Sequence, residues 1–191
     1  MTKPVFALCV GHSRSGDRGA ASVDGTSEHR YNSDLARRIR LILADQGIET
    51  VIVNTYEGHG YTAAMTWLGN HLKQLGAKGC VELHFNSAEN DAATGHEFLY
   101  WQESYPGREL ARSIDWQFRQ TLESLRPRGT KPVTASGRGA EFLRRTPCPA
   151  AICEPFFGSN PRDWAFATTE KDEIALAIAT GIAAWWKGLK L

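Results

Sequence analysis

The chain alternates short apolar runs rich in strand formers with longer stretches whose apolar residues recur every three or four positions. That alternation admits few folds, because each strand–helix–strand passage builds a parallel pair through a right-handed crossover. Residues 4–10 read as a first buried strand, ending in Gly11-His12 and a loop of Gly, Ser and Asp over residues 13–26. Ser27-Glu28 opens a helix with Tyr31, Leu35, Ile39 and Ile42 or Leu43 at helical spacing, Gly47 closes it, and residues 49–53 form a second strand. The pattern repeats in a helix over residues 61–75, with Met65, Leu68, Leu72 and Leu75 on one face, followed by a central strand over residues 80–84. Residues 96–101 alternate as a further strand. Pro106 suits the first turn of a helix carrying Leu110, Ile114, Phe118, Leu122 and Leu125. Residues 126–139, with two prolines and three glycines, read as a loop, and residues 150–154 as a last short buried strand. A helix over residues 170–189 turns Ile174, Ile178, Ile182, Trp185 and Leu189 inward. No repeat or interdomain linker interrupts this order. The expectation is one α/β domain over residues 1–191, a twisted, mostly parallel sheet with helices on both faces.

Composition narrows the function by exclusion. A net charge of +1 argues against a general nucleic-acid binder, and no glycine-rich phosphate loop with a following Lys-Ser/Thr is present. The longest early apolar run, residues 5–10, is too short for a membrane span or a signal-peptide core. Synthesis in the cytoplasm is therefore expected. Cys9, Cys80, Cys148 and Cys153 show no C-x-x-C spacing and read as free thiols, with a Cys148–Cys153 bridge left open.

Three of the expected strands end in a residue able to bind a metal or a proton: His12, His84 and Glu154. Strands of a parallel sheet share one C-terminal edge, where ligands of open α/β folds bind. A fourth candidate, Glu28, lies at the first turn of the helix that returns from the His12 loop. Two histidines and one carboxylate match a catalytic zinc site with three protein ligands and one open position. Such chemistry also wants a second carboxylate as general base and later acid, and Glu28 and Glu154 could divide the two roles. Each residue has a plainer reading. Glu28 follows Ser27 and favours a helix N-terminus by charge alone. Glu154 lies in an apolar run, where an acid is costly unless paired or used. Glu82, two residues before His84 on the same strand face, is either a partner of that histidine or a satisfied polar group. His29, His59, His71 and His96 read as surface or rim residues.

These residues sit in four blocks that together resemble the zinc-dependent N-acetylmuramoyl-L-alanine amidases of phage endolysins and bacterial autolysins. Gly11-His12 with Asp17 and Gly19-Ala20 looks like the family's first histidine block, and Ser27-Glu28 with Asn32, Ala36 and Leu43 its glutamate-led helix. His84-Phe85-Asn86-Ser87-Ala88 with Gly95-His96-Glu97 resembles the second histidine block. Residues 149–160, around Glu154, resemble the segment bearing the catalytic glutamate. The resemblance implies that His12, Glu28 and His84 hold Zn2+ and that Glu154 is the acid/base. It implies hydrolysis, in peptidoglycan, of the amide between N-acetylmuramic acid and L-alanine of the stem peptide. Ser13-Arg14-Ser15 stand where the family has glycines, which brings Arg14 within reach of substrate, and Pro155 follows Glu154 where a small or aliphatic residue is usual. With no separate wall-binding domain and no signal peptide, the chain looks more like a phage lysis enzyme reaching the wall after release than an exported autolysin. The alternatives are a zinc peptidase or carboxypeptidase cutting another peptide bond, and a non-catalytic wall-binding module. Nothing in the sequence speaks to oligomeric state.

Overall fold

The computed structural model describes residues 4–189. Six strands and six helices follow in order: β1 (Val5–Val10), α1 (Glu28–Asp45), β2 (Thr50–Val53), α2 (Tyr61–Gln74), β3 (Ala77–Leu83), β4 (His96–Trp101), α3 (Tyr105–Thr121), β5 (Pro127–Val133), α4 (Ala140–Arg145), β6 (Ala150–Glu154), α5 (Pro161–Thr169) and α6 (Lys171–Lys187). The strands make one sheet in the order β2-β1-β3-β6-β4-β5, parallel throughout except where β4 runs antiparallel to β6. The expected α/β architecture, mostly parallel and covered on both faces, is what forms.

Burial of both faces explains the unbroken apolar runs: Phe6 to Val10 are all fully buried, as strands in the middle of a covered sheet must be. One face packs Tyr31, Leu35, Ile39 and Leu43 of α1 with Ile114 and Phe118 of α3 and Ile174, Ile178 and Ile182 of α6. The opposite face packs Met65, Leu68 and Leu72 of α2 with Phe142 and Leu143 of α4. Helices α3 and α6 meet closely at Gly181, where a Cβ would stand 2.6 Å from the Ile114 Cα. The helix ends are set by local chemistry. The Ser27 hydroxyl accepts from the Arg30 N–H at the start of α1, Ser104 caps α3 ahead of Pro106, and Asn160 caps α5. Among the described residues no helix is long and apolar enough to cross a membrane.

The structure differs from the sequence reading at residues 126–139. Residues 127–133, expected as loop, pair with β4 as the strand at the sheet's edge. Pro127 and Pro132 are tolerated because an edge strand leaves part of its backbone unpaired. All four cysteines are free. Cys148 packs on the α2/α4 face and Cys153 on the other, so the bridge between them does not form.

Candidate metal centre and cleft

The parallel strands β1, β3 and β6 end side by side, and the chain leaves each of them at a residue of the site. The Gly11 N–H donates to the Leu83 carbonyl, and the His84 N–H donates to the Cys153 carbonyl. These bonds lock the three strand ends to one another. His12 has φ 59, the one non-glycine residue with positive φ among those described. This left-handed turn ends β1 and swings the imidazole back over the sheet edge.

Glu28 sits between the two histidines. Its Oε2 lies 3.3 Å from His12 Nε2 and its Oε1 lies 2.8 Å from His84 Nδ1. The carboxylate is 1% exposed and also accepts from the Ala20 and Phe85 N–H groups. It therefore faces the histidines rather than merely decorating a helix start. One donor atom from each of His12, Glu28 and His84 falls within 4.8 Å of the others. Zinc–N and zinc–O bonds of about 2.0–2.2 Å put neighbouring ligand atoms roughly 3–3.5 Å apart, so this group is near the required size. His12 Nε2 is buried and, although 3.3 Å from Glu28 Oε2, makes no hydrogen bond, an orphaned polar atom facing the cluster. Donor chemistry and orphaned atom both fit a zinc ion.

The outer nitrogen of each histidine meets another carboxylate. His12 Nδ1 lies 2.9 Å from Asp17 Oδ1, and Asp17 accepts from Arg14 and the Gly19 N–H. His84 Nε2 lies 3.1 Å from Glu82 Oε2. Burial pulls the pKa of both histidines down, but the acids around them outweigh it and hold both pKa values above the ordinary 6.5. Burial pushes Glu28 the other way, yet the two imidazoles hold its carboxyl well below the usual range.

Glu154 ends β6 and lines the same cleft as His12, Asp17, Glu82 and His84, a cavity of about 310 Å³. It is 4% exposed and its Oε2 has no hydrogen-bond partner. Burial, reinforced by the negative charge of Glu28 and opposed by His84 and Arg138, pushes its pKa up to about 7. The Arg138 guanidinium stands 3.8 Å from it, and Glu97 is its cross-strand neighbour, held by Asn86 and Arg128. Tyr56, Tyr61, Met65, Leu99 and Ile152 give the cleft an apolar wall, with Arg14 and Arg138 also lining it.

Sequence reasoning singled out His12, Glu28, His84 and Glu154, and all four line or adjoin this cleft. His96, expected at the surface or rim, is instead fully buried beneath the other face, 3.4 Å from Asp115. Its neighbour Glu97 is the one that faces Glu154. Alternation along β4 was the available signal, since Phe98 packs in the core on the side of His96. Arg138 was missed because its loop has no periodicity to read.

A sequence model of the N-acetylmuramoyl-L-alanine amidases matches residues 7–184. No curated protein sequence matches the chain. Among solved structures, the N-acetylmuramoyl-L-alanine amidase AmiC2 of Nostoc punctiforme superposes with a TM-score of 0.81 at 21% identity, covering 96% of this chain and 97% of that one. The CwlD amidase of Clostridioides difficile, solved with the GerS lipoprotein, gives 0.84 at 20% identity over 97% and 99%. The catalytic domain of an endolysin targeting Clostridium difficile gives 0.79 at 22% identity over 95% and 98%. At such identities the structural likeness speaks for the fold.

Proposed function

The chain belongs to the N-acetylmuramoyl-L-alanine amidase family, and from that premise we propose that His12, Glu28 and His84 hold one zinc ion while Glu154 moves the protons of amide hydrolysis. As an amidase of this family it is a peptidoglycan hydrolase acting on the cell wall, at the bond between the muramic lactyl group and L-alanine of the stem peptide. We read residues 1–191 as one catalytic domain and its role as lysis of a host cell, a reading supported by the likeness to an endolysin catalytic domain. The observation carrying the zinc assignment is the convergence of two imidazoles and one buried carboxylate, with His12 Nε2 left without a hydrogen-bond partner.

When bound, zinc supplies a Lewis acid that polarises a carbonyl and lowers the pKa of water to about 7. The rest of the work falls to the chain's own groups. Asp17 fixes the His12 ring so that Nε2 faces inward. Glu154, with its pKa near neutrality, is poised to take a proton from the attacking water as the new C–O bond forms. It returns that proton to the amine nitrogen as the C–N bond breaks. The second proton of the water leaves the new carboxyl group for the amine, so the products are the lactyl carboxylate and the L-alanyl ammonium. Arg138, 3.8 Å from Glu154, keeps a positive charge beside a carboxyl that burial would otherwise leave protonated.

Glu154→Gln tests the assignment, because it keeps the side chain's volume and removes the base. The variant is expected to retain one zinc per chain by elemental analysis and to lose at least ~100-fold in wall lysis. Lysis at the parent rate would refute the role given to Glu154. Mass spectrometry of digested muropeptides separates the amidase from a zinc peptidase: lactyl-muramic ends mark the first, trimmed stem peptides the second.

A further inference from the structure

Glu82 is a buried acid that the mechanism above leaves unused. It lies on β3 between Val81 and Leu83, is 3% exposed, and faces the cleft. An acid in such a place costs free energy unless its oxygens are satisfied. Each oxygen has one polar neighbour: the Tyr56 hydroxyl donates to Oε1 at 3.1 Å, and Oε2 makes an ion-pair contact of 3.1 Å with His84 Nε2. Tyr56 is itself buried, and its backbone N–H donates to the Ser13 carbonyl, which ties it to the loop after His12.

The two ring nitrogens of His84 thus face opposite ways, Nδ1 to Glu28 and Nε2 to Glu82. A neutral imidazole carries one N–H and one lone pair, and the hydrogen bond made by one nitrogen decides what the other can do. Each nitrogen faces a carboxylate, but with Glu28 engaged as a ligand of the cation, Glu82 is the acceptor that remains, and it draws the proton to Nε2 and leaves the Nδ1 lone pair for the metal. His12 has the same arrangement with its nitrogens exchanged: Nδ1 faces Asp17 and Nε2 faces Glu28. The side chain that satisfies Glu82 from behind, Tyr56, leaves His84 as the only other partner of its carboxylate among the described residues.

We propose that Glu82, braced by Tyr56, is a positioning residue that holds His84 in the Nε2–H tautomer and so presents Nδ1 to the zinc. The inference rests on the zinc reading above. A carboxylate in this role also raises the basicity of the histidine, and loss of such a partner typically costs about 10–100-fold in metal affinity. If Glu82 merely filled space and anchored Tyr56, neither the tautomer of His84 nor the affinity for zinc would depend on its charge.

The test compares the zinc-loaded parent with Glu82→Gln, Glu82→Ala and Tyr56→Phe, using zinc dissociation constants from chelator competition and 15N NMR of the histidine rings. In the parent, His84 is expected to carry its proton on Nε2. Zinc affinity is expected to fall ~10-fold in Glu82→Gln and ~100-fold in Glu82→Ala, with a smaller loss in Tyr56→Phe. Thermal unfolding of each variant confirms that it folds, and Glu82→Gln keeps the volume should Glu82→Ala fail. A parent His84 protonated on Nδ1, or a Glu82→Gln affinity within about twofold of the parent, overturns the inference. A parent that binds no zinc at all overturns the reading on which it stands, and these outcomes are distinct.

Discussion

Gly11→Ala is the smallest change expected to disarm the site without touching any of its ligands. A Cβ at Gly11 would stand 2.3 Å from His84 Cε1 and 2.6 Å from both ring nitrogens. Carbon atoms in contact rest about 3.5–4.0 Å apart, so the ring would have to retreat by more than ~1 Å. It has nowhere to go at no cost. Nδ1 is held 2.8 Å from Glu28 and Nε2 3.1 Å from Glu82, so retreat breaks or bends at least one of these contacts. Gly11 cannot yield instead, since it is buried and its N–H is bonded to Leu83 on the neighbouring strand. Overpacking of this kind costs about 1–3 kcal/mol of stability, while a ~1 Å misplacement of a reacting group costs on the order of 100-fold in rate. The expected protein is folded, with a melting temperature lowered by several degrees, zinc affinity down at least ~10-fold and kcat/KM down ~100-fold. Chelator competition, thermal unfolding and digestion of purified peptidoglycan read the three quantities. A Gly11→Ala protein that binds zinc as tightly as the parent would show that His84 is not a ligand in the position described.

Glu154 must be ionised to act as a base, so activity is expected to fall on acidification, with the limb at or below pH about 7 because a bound dication pulls that pKa down. Arg138→Ala removes a neighbouring cation and is expected to move the limb to higher pH, whereas an unmoved pH–rate profile would count against their contact. The folded-state pKa of Glu154 lies above its unfolded value, so its contribution to stability is present below pH 4.5 and is lost as pH rises through about 7. Metal-free Glu154→Gln should therefore be more stable than the parent above pH 7, by of order 1–3 kcal/mol, and equal thermal melts there would refute this. Asp163 accepts from the Thr94 hydroxyl and from the Gly95 and Phe157 N–H groups, tying the loops after β3 and β6 to α5. Asp163→Ala leaves buried donors unpaired and should cost about 2–4 kcal/mol in denaturant unfolding; a loss below ~0.5 kcal/mol would mean the tie is dispensable.

How much of this was legible in the sequence depended on which physical signal each residue carries. The strand ends His12, His84 and Glu154 could be read because β1, β3 and β6 are buried on both faces and so write continuous apolar runs that stop at the edge. Glu28 could be read from the helix start at Ser27, although only the structure shows its carboxylate turned towards two imidazoles. The edge strand β5 carries no such signal. Its sequence, Pro-Arg-Gly-Thr-Lys-Pro-Val, is mostly exposed, and its pairing is imposed by β4 rather than by its own propensity. The reversal of β4 against β6 was likewise invisible, since direction is set by how the chain crosses the sheet after β3 and not by any residue in β4. Asp17 lies in a loop, where no periodicity marks which side chain turns inward, and its role at His12 Nδ1 emerges only from coordinates. For Glu82 the sequence admits both partner and bystander, because a same-face position two residues from His84 is compatible with either.

Several places where ordinary rules of stability are broken gather at the site. His12 holds a left-handed backbone that a residue with a Cβ adopts at a cost of about 1–2 kcal/mol. Glu28, Glu82 and Glu154 are acids taken out of water beside two imidazoles, and Gly11 leaves the bare backbone against which His84 packs. None of these choices helps a sheet to form; each is tolerated because fully buried apolar layers on both faces fix the strand ends whatever happens at their rim. In the metal-free protein the charge imbalance is met by protons, with both histidine pKa values raised and that of Glu28 lowered. A dication answers the same deficit, and to bind the imidazoles it must displace those protons. Proton and metal thus compete for one cavity whose shape is fixed by residues that touch neither. That is why a single methyl group on Gly11 should matter as much as the loss of a ligand's orienting partner.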